Sequence, residues 1–205
     1  MTLNPNPLPR GFPSFELGPP FGQWWKVHSD QYGPWYFSSD DGRRDPATVG
    51  RFDLPEPNGT LYVGDYLGGV LPEAVRQTGV AAHESQAAYN TRRLSAMPLD
   101  DFYGKRIADF TSGAVRYFGA PDDVAGLPCD EARPWARAAH AGGFAGILYR
   151  LREDPNRRLG LALFGPAGPH AEPAQQGLPQ GLPVRLRKEV HLLFEGEYRG
   201  DLLPR

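Results

Sequence analysis

An arginine, a tyrosine and a glutamate stand eleven positions apart in the run "GRFDLPEPNGTLYVGDYLGGVLPEAV", as Arg51, Tyr62 and Glu73. Arginine offers a planar, permanently charged donor fork that matches a phosphate, where lysine is a poorer geometric fit. Tyrosine couples a flat apolar ring to a hydroxyl. A glutamate can accept hydrogen bonds and favour a developing cation. Each also has an ordinary explanation: a surface or ion-paired arginine, a core tyrosine in an apolar strand, a glutamate favoured by a helix dipole. Spacing alone leaves open whether these are one site or three unrelated residues.

The elements around the three decide whether they can meet. "GTLYVG" reads as a short buried strand carrying Tyr62, and Gly68 and Gly69 followed by "VLPEAVRQTG" predict a helix with Pro72 in its first turn and Glu73 near its N-terminus. Upstream, "WWKVHS" (Trp24 to Ser29) reads as the first strand. It carries Lys26 and His28, which could face a phosphate in the same cleft, although exposed strand positions explain both equally well. Downstream, a helical pattern runs through "ESQAAYNTRRLSAM", "KRIADF" reads as a strand, and "TSGAVRYFG" as a helix capped by Thr111 and ended by Gly119. "EARPWARAAHAGG" predicts another helix, and "FAGILYRL" and "LGLALFG" predict a hairpin joined by the charged turn "REDPNRR". Residues 165–183 read as a Pro/Gly-rich loop and "VRLRKEVHLLFEGEY" as a final strand. The alternation of elements is mixed αβ.

A chain of 205 residues accommodates one sizeable domain, here expected over residues 23–205, after an N-terminal arm of residues 1–22. The prolines of that arm predict extended chain rather than helix or strand, covering the core. With 25 Gly and 22 Pro the fold should be rich in loops, while 12% aromatic residues argue against disorder of its body. A net charge of -2 offers no broad basic surface, so direct nucleic-acid binding is not expected. Cys129 is the lone cysteine, which excludes an internal disulfide and disfavours a thiolate zinc site; no metal is expected. No apolar span is long enough for a membrane helix, and a cytoplasmic location with no membrane partner is expected.

The order of "GRFDLP", "GTLYVG", the glutamate eleven residues after its tyrosine, "RIADF", "PWARAAHAGGFAGILYR" and "LALFG" resembles the RES domain family, from about Trp24 to Gly165. The resemblance implies an α+β fold, a mixed β-sheet core with flanking helices similar to the ADP-ribosyltransferases, and cleavage of the nicotinamide–ribose bond of NAD. It further implies a toxin held inactive by a helix-turn-helix (Xre-type) antitoxin, and leaves a homodimer open. NAD would be substrate rather than cofactor, with phosphate, water or a protein as acceptor. On this resemblance Arg51, Tyr62 and Glu73 are the catalytic set, with Arg152, Lys26 and His28 as further substrate contacts. Two positions depart from the family pattern: Leu151 stands where a serine is usual, and Lys26 where the first strand commonly has arginine. Leu151 motivates an alternative, a catalytically impaired interaction module that keeps the fold.

Overall fold

The computed structural model describes residues 5–19, 24–29, 31–42, 49–66, 70, 92–152, 154, 156–170 and 182–183. In chain order its strands are β1 (Ser14–Glu16), β2 (Trp24–Ser29), β3 (Tyr36–Phe37), β4 (Ser39–Asp40), β5 (Leu54–Pro55), β6 (Asn58–Gly64), β7 (Arg92–Met97), β8 (Arg106–Asp109), β9 (Gly146–Arg150), β10 (Leu159–Pro166), β11 (Gly168–Pro169) and β12 (Leu182–Pro183). Helix α1 spans Cys129–Ala141, and short 3-10 turns occupy Asp100–Phe102, Gly113–Phe118 and Val124–Gly126. Eight strands form one sheet in the order β1-β8-β9-β10-β6-β2-β7-β12. Strands β8 and β9 run parallel, joined through the segment that contains α1, and the other neighbours pair antiparallel. The class is α+β with a mixed sheet, as expected. Among the described residues, none of the helices is long and apolar enough to cross a membrane.

The centre of the sheet is apolar on both faces because its strands place alternate residues on opposite sides. In β10, Leu161 and Leu163 join one core cluster with Trp24, Trp35, Phe37, Leu61 and Val63. Ala162 and Phe164 of the same strand join the other, with Phe52, Phe110, Tyr149 and the α1 residues Ala132, Trp135, Ala136 and Ala139. The small alanines let α1 lie close to the sheet, and its spacing of apolar positions gives it one buried stripe.

Three sequence expectations are corrected. Residues Ser14–Glu16 of the proline-rich arm are an edge strand paired with β8, and Leu8 and Phe12 are buried in the core. The arm thus contributes a strand as well as a cover, because Pro13 ends before the paired residues and leaves their N–H groups free to pair. "RRLSAM" is not helical: it is β7, paired along its whole length with β2. Its residues Leu94 and Met97 are buried against the sheet. The tertiary partner outweighs a helical pattern that depended on the alanines upstream. The "TSGAVRYFG" segment is a 3-10 helix capped by Ser112 rather than Thr111. Thr111 instead donates its hydroxyl to Asp109 at 2.6 Å.

The other expected elements lie where the sequence places them: β2, β6, β8, α1 and the β9–β10 hairpin. The loop of residues 165–183 is paired at both ends, through β11 to β3 and through β12 to β7. Residues 71–91, with Glu73 among them, and the final strand expected near the C-terminus lie outside the described residues.

Candidate active site

The edge of β6 that faces β2 has two backbone partners rather than one. At Gly64 it pairs with Trp25 of β2, the single rung between those strands. At Thr60 it pairs with Ser38, between β3 and β4, through Ser38 N–H on Thr60 C=O at 2.9 Å and Thr60 N–H on Ser38 C=O at 2.7 Å. The sheet therefore forks along β6, and Tyr62 stands between the two rungs.

Tyr62 closes onto the turn that carries Arg51. Its hydroxyl accepts the Phe52 N–H at 2.8 Å and donates to Asp53 Oδ1 at 2.8 Å. The turn is closed by the Asp53 N–H on the Gly50 carbonyl at 3.2 Å and by the Gly50 N–H on Asp53 Oδ2 at 2.8 Å. Gly50 has to be glycine: a Cβ there would lie 2.5 Å from Asp53 Oδ1 and 2.7 Å from the Tyr62 hydroxyl. Thr60 completes the tie by donating its hydroxyl to the Phe52 carbonyl at 2.7 Å. Local sequence explains the arrangement, since Phe52 and Leu54 are fully buried anchors on either side of Asp53 and force the turn against the sheet.

Arg51 is half-buried, and its Nη1 donates to the carbonyl of Leu127 just before α1. Its Nε is enclosed and has no hydrogen-bond partner among the described residues. A guanidinium has five N–H groups, and among the described residues this one makes a single hydrogen bond, to Leu127. Burial, with the Asp53 charge second, pushes the Tyr62 hydroxyl well above the ordinary tyrosine range. Tyr62 is thus a neutral phenol whose proton is already committed to Asp53, and what it has left to offer a ligand is its ring.

The remaining expected residues divide. Lys26 is buried, and its amine donates to the Tyr36 carbonyl at 2.8 Å across the fork. Burial lowers its pKa to about 7, against the opposing pull of the Asp53 carboxylate. His28, two residues along the same face of β2, is buried with Nε2 2.9 Å from the Ser95 hydroxyl and Nδ1 3.1 Å from the Ser29 carbonyl. Both groups are turned into the protein. Arg152 is exposed, two residues beyond the end of β9.

Leu151 is only 2% exposed and belongs to the core cluster with Phe52, Tyr149 and Phe164. Its two methyl groups fill the space above two glycines: a Cβ on Gly64 would be 3.3 Å from Cδ1, and one on Gly160 would be 2.9 Å from Cδ2. Val70 lies over the same patch, 2.9 Å from that position on Gly64. The leucine and Val70 thus share the space above Gly64.

Asp53 is the residue that sequence reasoning missed. It is fully buried, with relative exposure of 0%, and besides Gly50 and Tyr62 it receives the Ser38 hydroxyl at 2.6 Å. Its signal was an acidic residue set between Phe52 and Leu54, where a solvated loop carboxylate would not need two apolar anchors.

The mixed sheet makes the class α+β, and comparison with known proteins gives the family. The RES domain family model matches residues 23–185, and the chain belongs to that family. Among solved structures it is similar to a chain of the M. tuberculosis MbcT–MbcA toxin–antitoxin complex, with 16% identity, a TM-score of 0.58, and coverage of 90% of this chain and 91% of the other. At that identity the likeness concerns the fold. A sequence comparison with curated proteins gives no match.

Proposed function

We propose that the protein is an NAD-degrading enzyme, the toxin of a toxin–antitoxin pair, which cleaves the nicotinamide–ribose bond with phosphate or water as acceptor. The observation that carries this reading is the convergence of Arg51 and Tyr62 on one hydrogen-bonded turn within a RES domain, with the guanidinium making one hydrogen bond among the described residues. In the reaction the bond from ribose C1 to the nicotinamide nitrogen breaks. Its electron pair stays with the nitrogen, which loses its positive charge, and an acceptor oxygen bonds to C1; with water, a proton is released. The leaving group needs no general acid. The protein's work is to orient NAD and stabilise an oxocarbenium-like state.

In this scheme Arg51 holds a phosphate, either of the NAD pyrophosphate or of the attacking anion, and the Tyr62 ring packs against the nicotinamide ribose. Glu73 supplies the carboxylate that favours the ribosyl cation. The MbcT–MbcA likeness supports an antitoxin as the partner that restrains it. The test is NAD consumption by purified, partner-free protein with and without inorganic phosphate, products separated by chromatography. Phosphate-dependent loss absent in Glu73→Ala is expected; no loss in either buffer from a folded protein would sink the reading and favour the impaired interaction module.

A further inference from the structure

We infer that Asp53 is the positioning residue of this site: its buried carboxylate fixes the Tyr62 ring and the Arg51 turn relative to one another. The inference rests on the reading of Arg51 and Tyr62 as the NAD site. No side-chain bond between Arg51 and Tyr62 is needed for the arrangement. What joins them is a chain of contacts that all pass through Asp53 or its own turn. Oδ1 takes the Tyr62 proton, Oδ2 takes the Gly50 N–H and the Ser38 hydroxyl, and the residue's own N–H closes the turn on Gly50. Arg51 lies inside that closed turn, and its neighbour Phe52 returns an N–H to the Tyr62 hydroxyl. The carboxylate therefore reads three separate chain segments: the β3–β4 strand through Ser38, the arginine turn, and β6 through Tyr62.

The alternative for a fully buried acid is simple structural filling. Two features argue against it. Oδ1 and Oδ2 are both used, by donors from different segments, which is the geometry of a clamp. Its electrostatic neighbours are Lys26 and Tyr62, the two groups around the fork whose protonation it influences. Tyr149 also faces the Tyr62 hydroxyl electrostatically. An asparagine has nearly the same shape as the aspartate but no charge and one oxygen in place of two. It cannot accept from Tyr62, Gly50 and Ser38 in the same way.

The experiment compares wild type, Asp53→Asn, Ser38→Ala, Tyr62→Phe and the Asp53→Asn/Tyr62→Phe double variant. The first readout does not depend on activity: the Tyr62 ring carbon and the Lys26 side chain are titrated by NMR in isotopically labelled protein. In Asp53→Asn the Tyr62 pKa is expected to fall toward the ordinary value, and that of Lys26 to fall below about 7, because the charge that raises both is gone. The second readout is NAD turnover well below the unfolding temperature. Asp53→Asn is expected to lose about ten- to a hundredfold in kcat/KM, mainly in kcat, as displaced catalytic groups do. The double variant should lose little more than the single ones, because both remove one coupling.

If Asp53→Asn does not fold, Ser38→Ala removes one donor to the same carboxylate and should show a smaller loss of the same kind. Unchanged titrations, or wild-type turnover in whichever of these two variants folds, would overturn the inference. A wild type that neither binds nor cleaves NAD would instead overturn the proposed function, while the titrations would still report whether Asp53 holds Tyr62.

Discussion

Replacing Leu151 by the serine that the family resemblance leads one to expect there should, on the structure, damage the fold rather than repair catalysis. Leu151 is buried to 2% exposure and its two methyls lie over Gly64 and Gly160, whose missing side chains make the room it fills. Leucine-to-alanine changes at such sites cost about 2 to 5 kcal/mol through lost burial and the cavity left behind. A serine adds a hydroxyl in apolar surroundings, with a further cost of about 1 to 3 kcal/mol unless it finds a partner. Its own backbone N–H is already used on the Arg158 carbonyl at 2.7 Å, so the strand end would hold while the side-chain layer beneath Val70 empties. We expect Leu151→Ser to lose at least about 3 kcal/mol, or at least about 6 °C in Tm for a chain of this size. Denaturant titration and thermal unfolding measure this. Stability within about 1 kcal/mol of wild type, a margin ordinary for surface substitutions, together with a rise in NAD turnover, would refute the reasoning. Leu151 would then be a lost catalytic serine and not a packing residue.

Other outcomes follow from the same geometry. Gly50→Ala places a Cβ 2.5 Å from Asp53 Oδ1 and should open the arginine turn, lowering kcat/KM by at least about tenfold. Steady-state kinetics beside circular dichroism separates that from unfolding. Lys26 is protonated in the unfolded state up to its ordinary 10.5 but only to about 7 when folded. The unfolded chain therefore binds more protons between those values, so this residue makes stability rise with pH from about 7 to 10.5. The cost of burying its charge is fully present below pH 7 and amounts to at most about 5 kcal/mol. Lys26→Met should abolish that rise, which pH-dependent denaturation will show.

Much of this architecture was legible in the chain. Strand β2 and the β9–β10 hairpin carry enough apolar and β-branched or aromatic residues to declare themselves, and α1 is bounded by Pro128 before and Gly142 and Gly143 after. The failures have physical causes. Strand β7 was hidden because its pairing partner lies more than sixty residues upstream, and local helix propensity says nothing of it. The edge strand at Ser14–Glu16 is three residues long, too short to show alternation among prolines. At the site, residue type pointed to Arg51 and Tyr62, but nothing in their spacing revealed that an aspartate between them holds both. Lys26 and His28 were legible as strand residues, yet only the fold shows that both face inward.

The central claim is that the Arg51 turn and Tyr62 form a site that consumes NAD. The most direct measurement is the NAD time course of wild type beside Arg51→Lys, with thermal unfolding recorded for both. Lysine keeps the charge but loses the planar fork. NAD loss is expected for wild type, with a rate at least about tenfold lower for a folded Arg51→Lys, as follows when a guanidinium–phosphate contact is lost. Equal rates in the two proteins, or intact NAD in both, would contradict it.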